Sequence, residues 1–414
     1  MAIFRPFKAV RPIPELASKV AALPYDVMNS KEAREMVVGN PYSFLHVDRA
    51  EIDLDPSVDI YDDKVYAKAA ENLKKMQIDG TYIQDTNRCY YIYRQIMDGR
   101  AQTGIVGCAS VDDYLNNHVK KHELTRADKE TDRIRHVDAC DANTGPIFLT
   151  YRERKDISAI VKGWMNDYAP VYDFVSEDGI SHTVWVINDK NVVKMLEKNF
   201  KLVPDFYIAD GHHRAASAVR VAEKRRLSNP DYSGNEEFNF FLAVLFPDSE
   251  LKIMDYNRVV HDLCGNSQEE FMEKLSKVYV ISEHKEGICV PPEKHTTGMY
   301  IGGKWYLLRA KEGTFDEDDP VDSLDVSILQ KNVLTPILGI DDPRTSDRIS
   351  FVGGIRGLGE LERLVDGGKA VAFAMYPTGL DELMKIADTN NIMPPKSTWF
   401  EPKLRSGIFI HKLK

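Results

Sequence analysis

Five consecutive residues at positions 210–214, Asp-Gly-His-His-Arg, combine side chains that could bind and transfer a small anion. The imidazoles of His212 and His213 can contact phosphate oxygens, and the guanidinium of Arg214 can do so through two parallel hydrogen bonds. Asp210 could cap a helix, hold a magnesium ion or accept a proton. A capped helix with surface histidines is the structural alternative, but these residue types beside an Asp-Gly turn favour an anion site.

The elements around this stretch explain why an anion would bind there. Residues 206–209 have the composition of a buried strand, and alanine-rich helical spacing begins at Ala215. The first N–H groups of a helix lack internal partners and carry the positive end of the peptide dipoles. Gly211 lets the backbone approach a ligand closely. The sequence therefore predicts a phosphate-binding turn from strand to helix.

A second stretch of mixed charge, residues 120–135, is predicted to form a helix. Four of its basic side chains would share one face and could converge on an anion. They are His122, Arg126, Lys129 and Arg133. Glu123 and Glu130 would lie on an adjacent face, and a solvated charged helix is the alternative interpretation. The spacing is not HExxH, because position 126 is arginine, so a histidine metal pair is disfavoured.

Further polar residues stand beside apolar or proline-rich stretches elsewhere in the chain. Tyr25 and Asp26 are predicted to lie in a turn leading into a strand, beside a ligand or in a packing role. Arg258, next to Asn257, lies among apolar residues and needs a partner, which could be phosphate, a substrate carboxylate or Asp255. The proline-rich segment 393–403 offers a cation and two hydroxyls to an anion, or acts as a structural plug, and in either case we expect it to fold back onto the first domain. The cation is Lys396, and the two hydroxyls belong to Ser397 and Thr398.

Length and pattern predict the domain organisation. A chain of 414 residues is long for one domain. The character changes near position 263, so we expect domains at 1–262 and 263–414. Hairpin signals at Asp98-Gly99, Asp178-Gly179 and Gly302-Gly303 indicate antiparallel pairs. Mixed elements without a regular βαβ alternation favour an α+β fold.

Composition excludes several classes of protein. The net charge of −10 disfavours broad adhesion to nucleic acid. No apolar run approaches the roughly 18 residues of a membrane span, and no signal peptide is recognisable, so a cytoplasmic protein is expected. Five cysteines without CxxC spacing indicate neither disulfides nor a zinc site. No GxxxxGK[ST] loop is present, so any nucleotide would be held in another way.

Three motifs together resemble a known family. They are DGHHR, KHELTRADKETDR at 121–133 and MPPKSTWFEPK at 393–403. From RPFKAVRP near the N-terminus to the SGIFIH tail, the chain is similar to the prokaryotic domain-of-unknown-function family 1015. The DGHHR turn also resembles the phosphate-binding turn of the ParB and sulfiredoxin superfamily, which includes kinases of free serine. This resemblance implies a ParB/sulfiredoxin-like mixed-sheet N-terminal domain with a smaller α/β C-terminal domain.

The same resemblance implies a kinase of free L-serine that uses ATP, ADP or pyrophosphate, with Mg²⁺. Catalysis is expected from Glu123, Asp210 and His213, with Glu123 or Asp210 taking the hydroxyl proton and both able to hold the metal. Donor phosphates are expected at Gly211, His212, Arg214, Lys129 and Arg133. The substrate is expected at His122, Thr125, Asn257, Arg258, Lys396, Ser397 and Thr398. The expected partner is thus a small hydroxyl compound, and the oligomeric state is left open.

Three other functions are compatible with parts of this pattern. A ParB-like nucleotide-binding protein of regulation or DNA segregation would need a basic helix-turn-helix, for which the acidic balance gives little support. A hydrolase acting through a His212 phosphoenzyme is chemically feasible. Sulfiredoxin-like reduction would want a reactive cysteine beside the turn, and none of the five lies near it in sequence.

Overall fold

The computed structural model describes residues 2–414, which form two compact units. One contains the chain up to Leu251 together with Pro402–Lys414, and the other contains Lys252–Glu401. The first boundary therefore falls at Leu251 rather than at residue 262, because residues 253–260 form strands of the second unit. The composition change near position 263 marks the start of a charged helical stretch and not the start of the unit.

The secondary structure is mixed throughout. The strands are β1 (Phe4–Arg5), β2 (Val10–Pro12), β3 (Tyr82–Gln84), β4 (Tyr90–Met97), β5 (Arg100–Ser110), β6 (Val119–Lys120), β7 (Ala142–Asn143), β8 (Ile147–Tyr151), β9 (Tyr172–Val175), β10 (Ser181–Ile187), β11 (Phe206–Asp210), β12 (Phe240–Pro247), β13 (Ile253–Met254), β14 (Tyr256–Val260), β15 (Tyr279–His284), β16 (Thr296–Ile301), β17 (Lys304–Ala310), β18 (Ile349–Gly353), β19 (Val371–Met375), β20 (Trp399–Phe400) and β21 (His411–Lys412). The helices are α1 (Ala17–Val20), α2 (Ser30–Met36), α3 (Leu45–Asp48), α4 (Asp63–Ile78), α5 (Val111–Leu115), α6 (Ala127–Cys140), α7 (Lys155–Asp167), α8 (Lys190–Phe200), α9 (His212–Ser228), α10 (Gln268–Leu275), α11 (Asp325–Leu329), α12 (Gly359–Asp366) and α13 (Leu380–Asp388). Short 3₁₀ turns and one π-helical turn, Gln330–Leu334, connect some of them.

The first unit is built on a nine-stranded mixed sheet. Its strand order is β6-β11-β8-β12-β5-β4-β10-β9, with β1 added beside β5. The pairs β6/β11 and β8/β12 are parallel, and the other pairs are antiparallel. Helix α9 packs against this sheet through Ala215, Ala218, Val219 and Ala222, which are buried in the same core as Ile208. Small side chains on this face let the helix approach the sheet closely.

The three predicted hairpins are confirmed, and with them the α+β class. Asp98 and Gly99 join β4 to β5 with positive φ angles of 51° and 76°. Gly179 lies in the turn between β9 and β10, and Gly302 and Gly303 join β16 to β17. Positive φ is readily adopted by glycine, which has no Cβ to clash with the backbone, so these turns could be recognised from sequence.

The second unit contains a six-stranded sheet with the order β15-β17-β16-β19-β14-β18. All its neighbouring strands run antiparallel. This unit is therefore α+β, which corrects the predicted α/β arrangement. Its core includes Val259, Trp305, Leu361 and Ala372.

Two local predictions are wrong. Residues 25–27 form a 3₁₀ turn followed by helix α2, whereas Tyr25 and Asp26 were expected to lie in a turn leading into a strand. The helix predicted over 120–135 begins only at Ala127, after the extended residue Arg126. Asp128 and Glu130 in its first turn suit the positive end of the helix dipole, which favours a start there.

Within residues 2–414, no helix combines the length and the apolar character needed to cross a membrane.

Candidate anion-binding site

The turn at 210–214 has the predicted form of strand, glycine and helix. Strand β11 ends at Asp210, Gly211 has a φ of 92°, and α9 begins at His212. A Cβ added to Gly211 would lie 3.1 Å from Arg214 Nε and 3.2 Å from its Cζ, because the guanidinium folds back over the glycine. Glycine is therefore favoured here both by the left-handed backbone and by the close approach of Arg214.

A small cavity of about 40 Å³ opens at this turn. Its lining residues are Tyr25, Asp26, Glu123, Asp210, Gly211, His212, His213 and Arg214. One water needs roughly 10–15 Å³ in this measure, so the cavity has room for a group of a few heavy atoms. Helix α9, which begins here, places its unpaired N–H groups at this end.

Arg214 is tied to the protein at two of its three nitrogens. Its Nη1 donates a hydrogen bond of 2.5 Å to the Pro146 carbonyl, and Nη2 lies 3.6 Å from Asp210 Oδ2. The buried Nε has no partner in the described part of the chain. Arg214 is thus held in place while one of its donors remains unsatisfied.

Asp210 is the carboxylate on which two cations converge. Lys403 Nζ lies 3.5 Å from its Oδ2, the same oxygen that Arg214 approaches. Burial by itself would raise the pKa of Asp210, but Lys403, Arg214 and His212 together lower that pKa well below its usual range. Asp210 is therefore ionised at neutral pH and is a weak proton acceptor.

Two buried histidines lie edge to face beside the turn. The rings of His122 and His212 are 4.5 Å apart at 89°, with 2% and 5% of each residue exposed. Burial lowers the pKa of His122 to about 4 and, with the adjacent His122, lowers the pKa of His212 well below its ordinary value. Both rings are neutral at pH 7. Among residues 2–414, the Nε2 of His212 has no hydrogen-bond partner.

Glu123 and His213 connect the turn to the loop that precedes α6. Glu123 Oε2 lies 3.7 Å from His212 Nδ1, and the Glu123 side chain is 42% exposed. His213 Nε2 accepts a hydrogen bond of 3.0 Å from the Arg126 backbone N–H. The loop is also tied to α6, since the Thr125 hydroxyl donates to Glu130 at 2.8 Å. His213 and Thr125 thus make contacts that hold this loop in place. Catalysis was predicted for His213 and substrate binding for Thr125.

Helix α6 places Arg133 near the turn, but His122 is not on this helix and so does not share a helix face with Arg133. Arg133 is 8% exposed, donates to Asp132 at 2.9 Å and lies over the Tyr25 ring at 3.9 Å. A cavity of about 20 Å³ has Tyr25, Arg133 and Arg214 among its lining residues. Lys129 lies elsewhere, with Nζ 3.0 Å from the Tyr61 hydroxyl. The predicted convergence of four basic residues on one helix face is therefore wrong, because His122 and Arg126 precede the helix.

A family model described as "Protein of unknown function (DUF1015)" matches residues 4–327. The chain belongs to the DUF1015 family. No curated protein sequence matches it.

Several solved structures are similar to this DUF1015 member at low identity. A free serine kinase in complex with AMP is 12% identical, with coverage of 73% of this chain and 91% of that one and a TM-score of 0.36. A conserved hypothetical protein from Pyrococcus furiosus is 12% identical, covering 74% and 94%, with a TM-score of 0.36. SbnI with a C-terminal truncation, from Staphylococcus aureus, is 11% identical, covering 73% and 85%, with a TM-score of 0.38. At these values the likeness carries no inference about activity.

Five of the predicted substrate residues of the DUF1015 chain belong to the second compact unit. Asn257 is fully buried, donating to Asp255 at 2.5 Å and accepting from the Met375 N–H at 2.9 Å. Arg258 donates to the carbonyls of Tyr256 and Lys396, and burial lowers its pKa to about 10. The Ser397 hydroxyl donates to the Pro394 carbonyl at 2.6 Å. These contacts within the unit account for Asn257 and Ser397 as structural residues.

The predicted Mg²⁺ ligands do not fit a metal site held by the protein alone. In the part of the chain that is described, no group of three or more His, Cys, Asp or Glu side chains could hold a metal ion. Asp210 is already compensated by Arg214 and Lys403, so a cation at its Oδ2 would have to displace one of them. Mg²⁺ is commonly bound through one or two carboxylates together with substrate phosphates. A magnesium ion at this site would therefore need the phosphates of a bound phosphoryl donor as further ligands.

Sequence reasoning missed Lys403 and understated Tyr25 and Asp26. Lys403 lies within the third motif, but its position beside Asp210 depends on contacts across 193 residues of sequence. Tyr25 and Asp26 line the cavity from a turn, not from a strand end. The position of Lys403 inside a family motif is the only signal that the sequence offers for it.

Proposed function

We propose that this chain is a phosphotransferase whose donor phosphate binds at the turn between β11 and α9. The observation that carries the proposal is the meeting, at one small cavity, of the start of α9, the guanidinium of Arg214 and the buried His212 ring. Backbone N–H groups and a guanidinium are the usual ligands of a phosphoryl group, and they need no covalent intermediate. The cavity volume suits one phosphoryl group, with the rest of the donor outside it.

Glu123 is the better candidate for the general base. The ideal base has a pKa near the working pH, and the strongly lowered pKa of Asp210 makes that carboxylate a poor proton acceptor. Glu123 lines the same cavity, is partly exposed and can be reached by an incoming hydroxyl group. Asp210 instead holds Arg214 and Lys403 at the turn. Its proposed role is to orient these cations, so that positioning and charge neutralisation lower the barrier.

The proposed acceptor is the hydroxyl of free L-serine, with ATP, ADP or pyrophosphate as the donor. This finer assignment rests on the resemblance of the DGHHR turn to the turn of free-serine kinases. In this proposal neutral His212 contacts the donor phosphate and not the serine, because its buried Nε2 can donate a hydrogen bond to a phosphate oxygen in the tautomer that carries the proton there.

The test is direct. The purified full chain would be incubated with Mg²⁺, L-serine and each donor in turn, and O-phosphoserine would be measured by mass spectrometry. We expect product with at least one donor and none when serine is omitted. Absence of phosphoserine with all three donors would remove the serine kinase assignment.

A further inference from the structure

The last segment of the chain, Pro402–Lys414, returns to the first unit and brings a lysine to the turn. Lys403 Nζ lies 3.5 Å from Asp210 Oδ2, and its side chain is only 13% exposed. Arg214 Nη2 lies 3.6 Å from the same oxygen. Two cationic groups are therefore arranged around one carboxylate oxygen, and a phosphate oxygen can accept charge-assisted hydrogen bonds from groups of the same kind.

Two buried glutamines hold the backbone that carries this lysine. Gln95 on β4 donates to the Lys403 carbonyl at 2.9 Å, and Gln102 on β5 donates to the Pro402 carbonyl at 3.3 Å. Gln102 also donates to the Gln95 side-chain oxygen at 3.0 Å. The two glutamines are 0% and 1% exposed. Buried amides are costly unless bonded, so this pair is stable only while the segment at 402–403 stays in register with the hairpin.

The next residues anchor the segment on the other side of Lys403. The buried guanidinium of Arg405 donates to Asp178 and, at 3.1 Å, to the Ser176 hydroxyl. The Ser406 N–H donates to the Ala22 carbonyl at 2.9 Å. The backbone at Lys403 is thus held between two sets of buried contacts, so that only the Lys403 side chain can change conformation. A preorganised cation of this kind binds an anion with little loss of conformational entropy.

The ion pair with Asp210 is long enough to be exchanged. Distances of 3.5 and 3.6 Å exceed the 2.7–2.9 Å typical of a charge-assisted hydrogen bond. A phosphate oxygen entering beside Asp210 could form shorter bonds to both cations. Independently, His212, a residue 5% exposed, belongs to the lining of the same cavity, and its Nε2 has no partner within residues 2–414.

We propose that Lys403 is a second cationic ligand of the anion at this turn, positioned by Gln95 and Gln102 and paired with Asp210 until the anion arrives. The inference rests on the proposed donor site and adds a residue from the far end of the chain to it. Lys403 neutralises charge on the bound phosphate together with Arg214.

Isothermal titration calorimetry of the full chain with pyrophosphate, with ADP and with ATP tests this. Lys403→Met keeps the apolar stem and removes the charge, and Lys414→Met is the matched control, because Lys414 is exposed and pairs only loosely with Asp141 at 3.6 Å. We expect Lys403→Met to weaken pyrophosphate binding about tenfold or more, equivalent to ~1.4 kcal/mol. Lys414→Met should bind as the wild type does.

The melting midpoint without ligand separates binding from folding. A structural role alone would lower this midpoint and leave affinity unchanged, whereas a ligand role lowers the affinity and the stabilisation by pyrophosphate. If Lys403→Met does not fold, Lys403→Gln replaces it, because glutamine removes the charge and keeps a polar head, with Lys414→Gln as its control. The pyrophosphate affinity of Lys403→Gln should fall relative to Lys414→Gln, and wild-type affinity would overturn the inference.

The two proposals fail in different ways. If the wild-type chain binds none of pyrophosphate, ADP and ATP in calorimetry, the donor site is refuted and the role of Lys403 falls with it. If the wild type binds and the Lys403 variants bind equally well, only the role of Lys403 is refuted.

Discussion

Replacing Gly211 by alanine tests the architecture of the turn most directly. Two effects are expected from the structure. The φ of 92° forces an L-residue into the left-handed region, which costs about 1–2 kcal/mol. The new Cβ would lie 3.1–3.2 Å from three atoms of the Arg214 guanidinium, so that flexible group must move by a few tenths of an ångström.

Gly179→Ala is a matched control for the first effect. Gly179 has a φ of 79°, and nothing lies within 4 Å of its Cβ position. Both variants should therefore lose about 1–2 kcal/mol of unfolding free energy in chemical denaturation. Only Gly211→Ala should displace Arg214.

The difference between the two variants should appear in ligand affinity. A hydrogen bond to a charged group contributes about 1.5–3 kcal/mol, which corresponds to roughly ten- to a hundredfold in Kd. We expect calorimetry to show this loss for pyrophosphate with Gly211→Ala and none with Gly179→Ala. Substituting Arg214 itself would be less informative, because the Pro146 carbonyl and Asp210 would lose a partner as well. Wild-type affinity in Gly211→Ala would refute the placement of the anion at this turn.

Three further outcomes are expected. Glu123→Gln should lower turnover by about 10²–10⁴-fold with little change in donor affinity. The exposed control Glu71→Gln should stay active, and normal turnover in Glu123→Gln would remove Glu123 from catalysis. Burial raises the pKa of Glu237, but a histidine and two arginines bring it to about 2, below the usual ~4.3. The stabilisation by Glu237 is therefore fully present above about pH 4.3, falls to roughly half at about pH 3 and is lost as the pH falls through about 2. Glu237→Gln should accordingly lower the urea midpoint at about pH 7 and roughly half as much at about pH 3, and an equal loss at both would contradict this. Arg133→Met should destabilise the first unit by about 3–5 kcal/mol in denaturant titrations, because it leaves Asp132 buried without its cation. Adding Asp132→Asn should recover part of this loss, and full additivity of the two changes would argue against the ion pair.

Local chemistry made part of this molecule predictable. The turn from β11 to α9 was recognisable because an apolar strand pattern ends at a glycine before small helix-forming residues. The hairpins at residues 98–99 and 302–303 followed from residues that accept positive φ. In each case the information lies within a few neighbouring residues.

Other features could not be recognised at that range. The charged stretch 120–135 has helical spacing, but periodicity does not define where a helix starts, and the loop at 121–126 is held by contacts from Arg126 to His213 and from Thr125 to Glu130. The buried Arg258 was expected to need an anion, yet the structure supplies peptide carbonyls from Tyr256 and Lys396. A carbonyl partner has no signature in the sequence, because every residue carries one.

The sequence by itself determined that residues 206–214 turn from strand to helix through a glycine, since backbone sterics and side-chain periodicity act between near neighbours. Only the tertiary structure decided which groups share that corner with Arg214. Lys403 reaches Asp210 because two glutamines on one hairpin bind the carbonyls of a segment some three hundred residues later. Such contacts depend on how strands and chain ends pack together, and packing is a property of the whole unit rather than of any stretch within it.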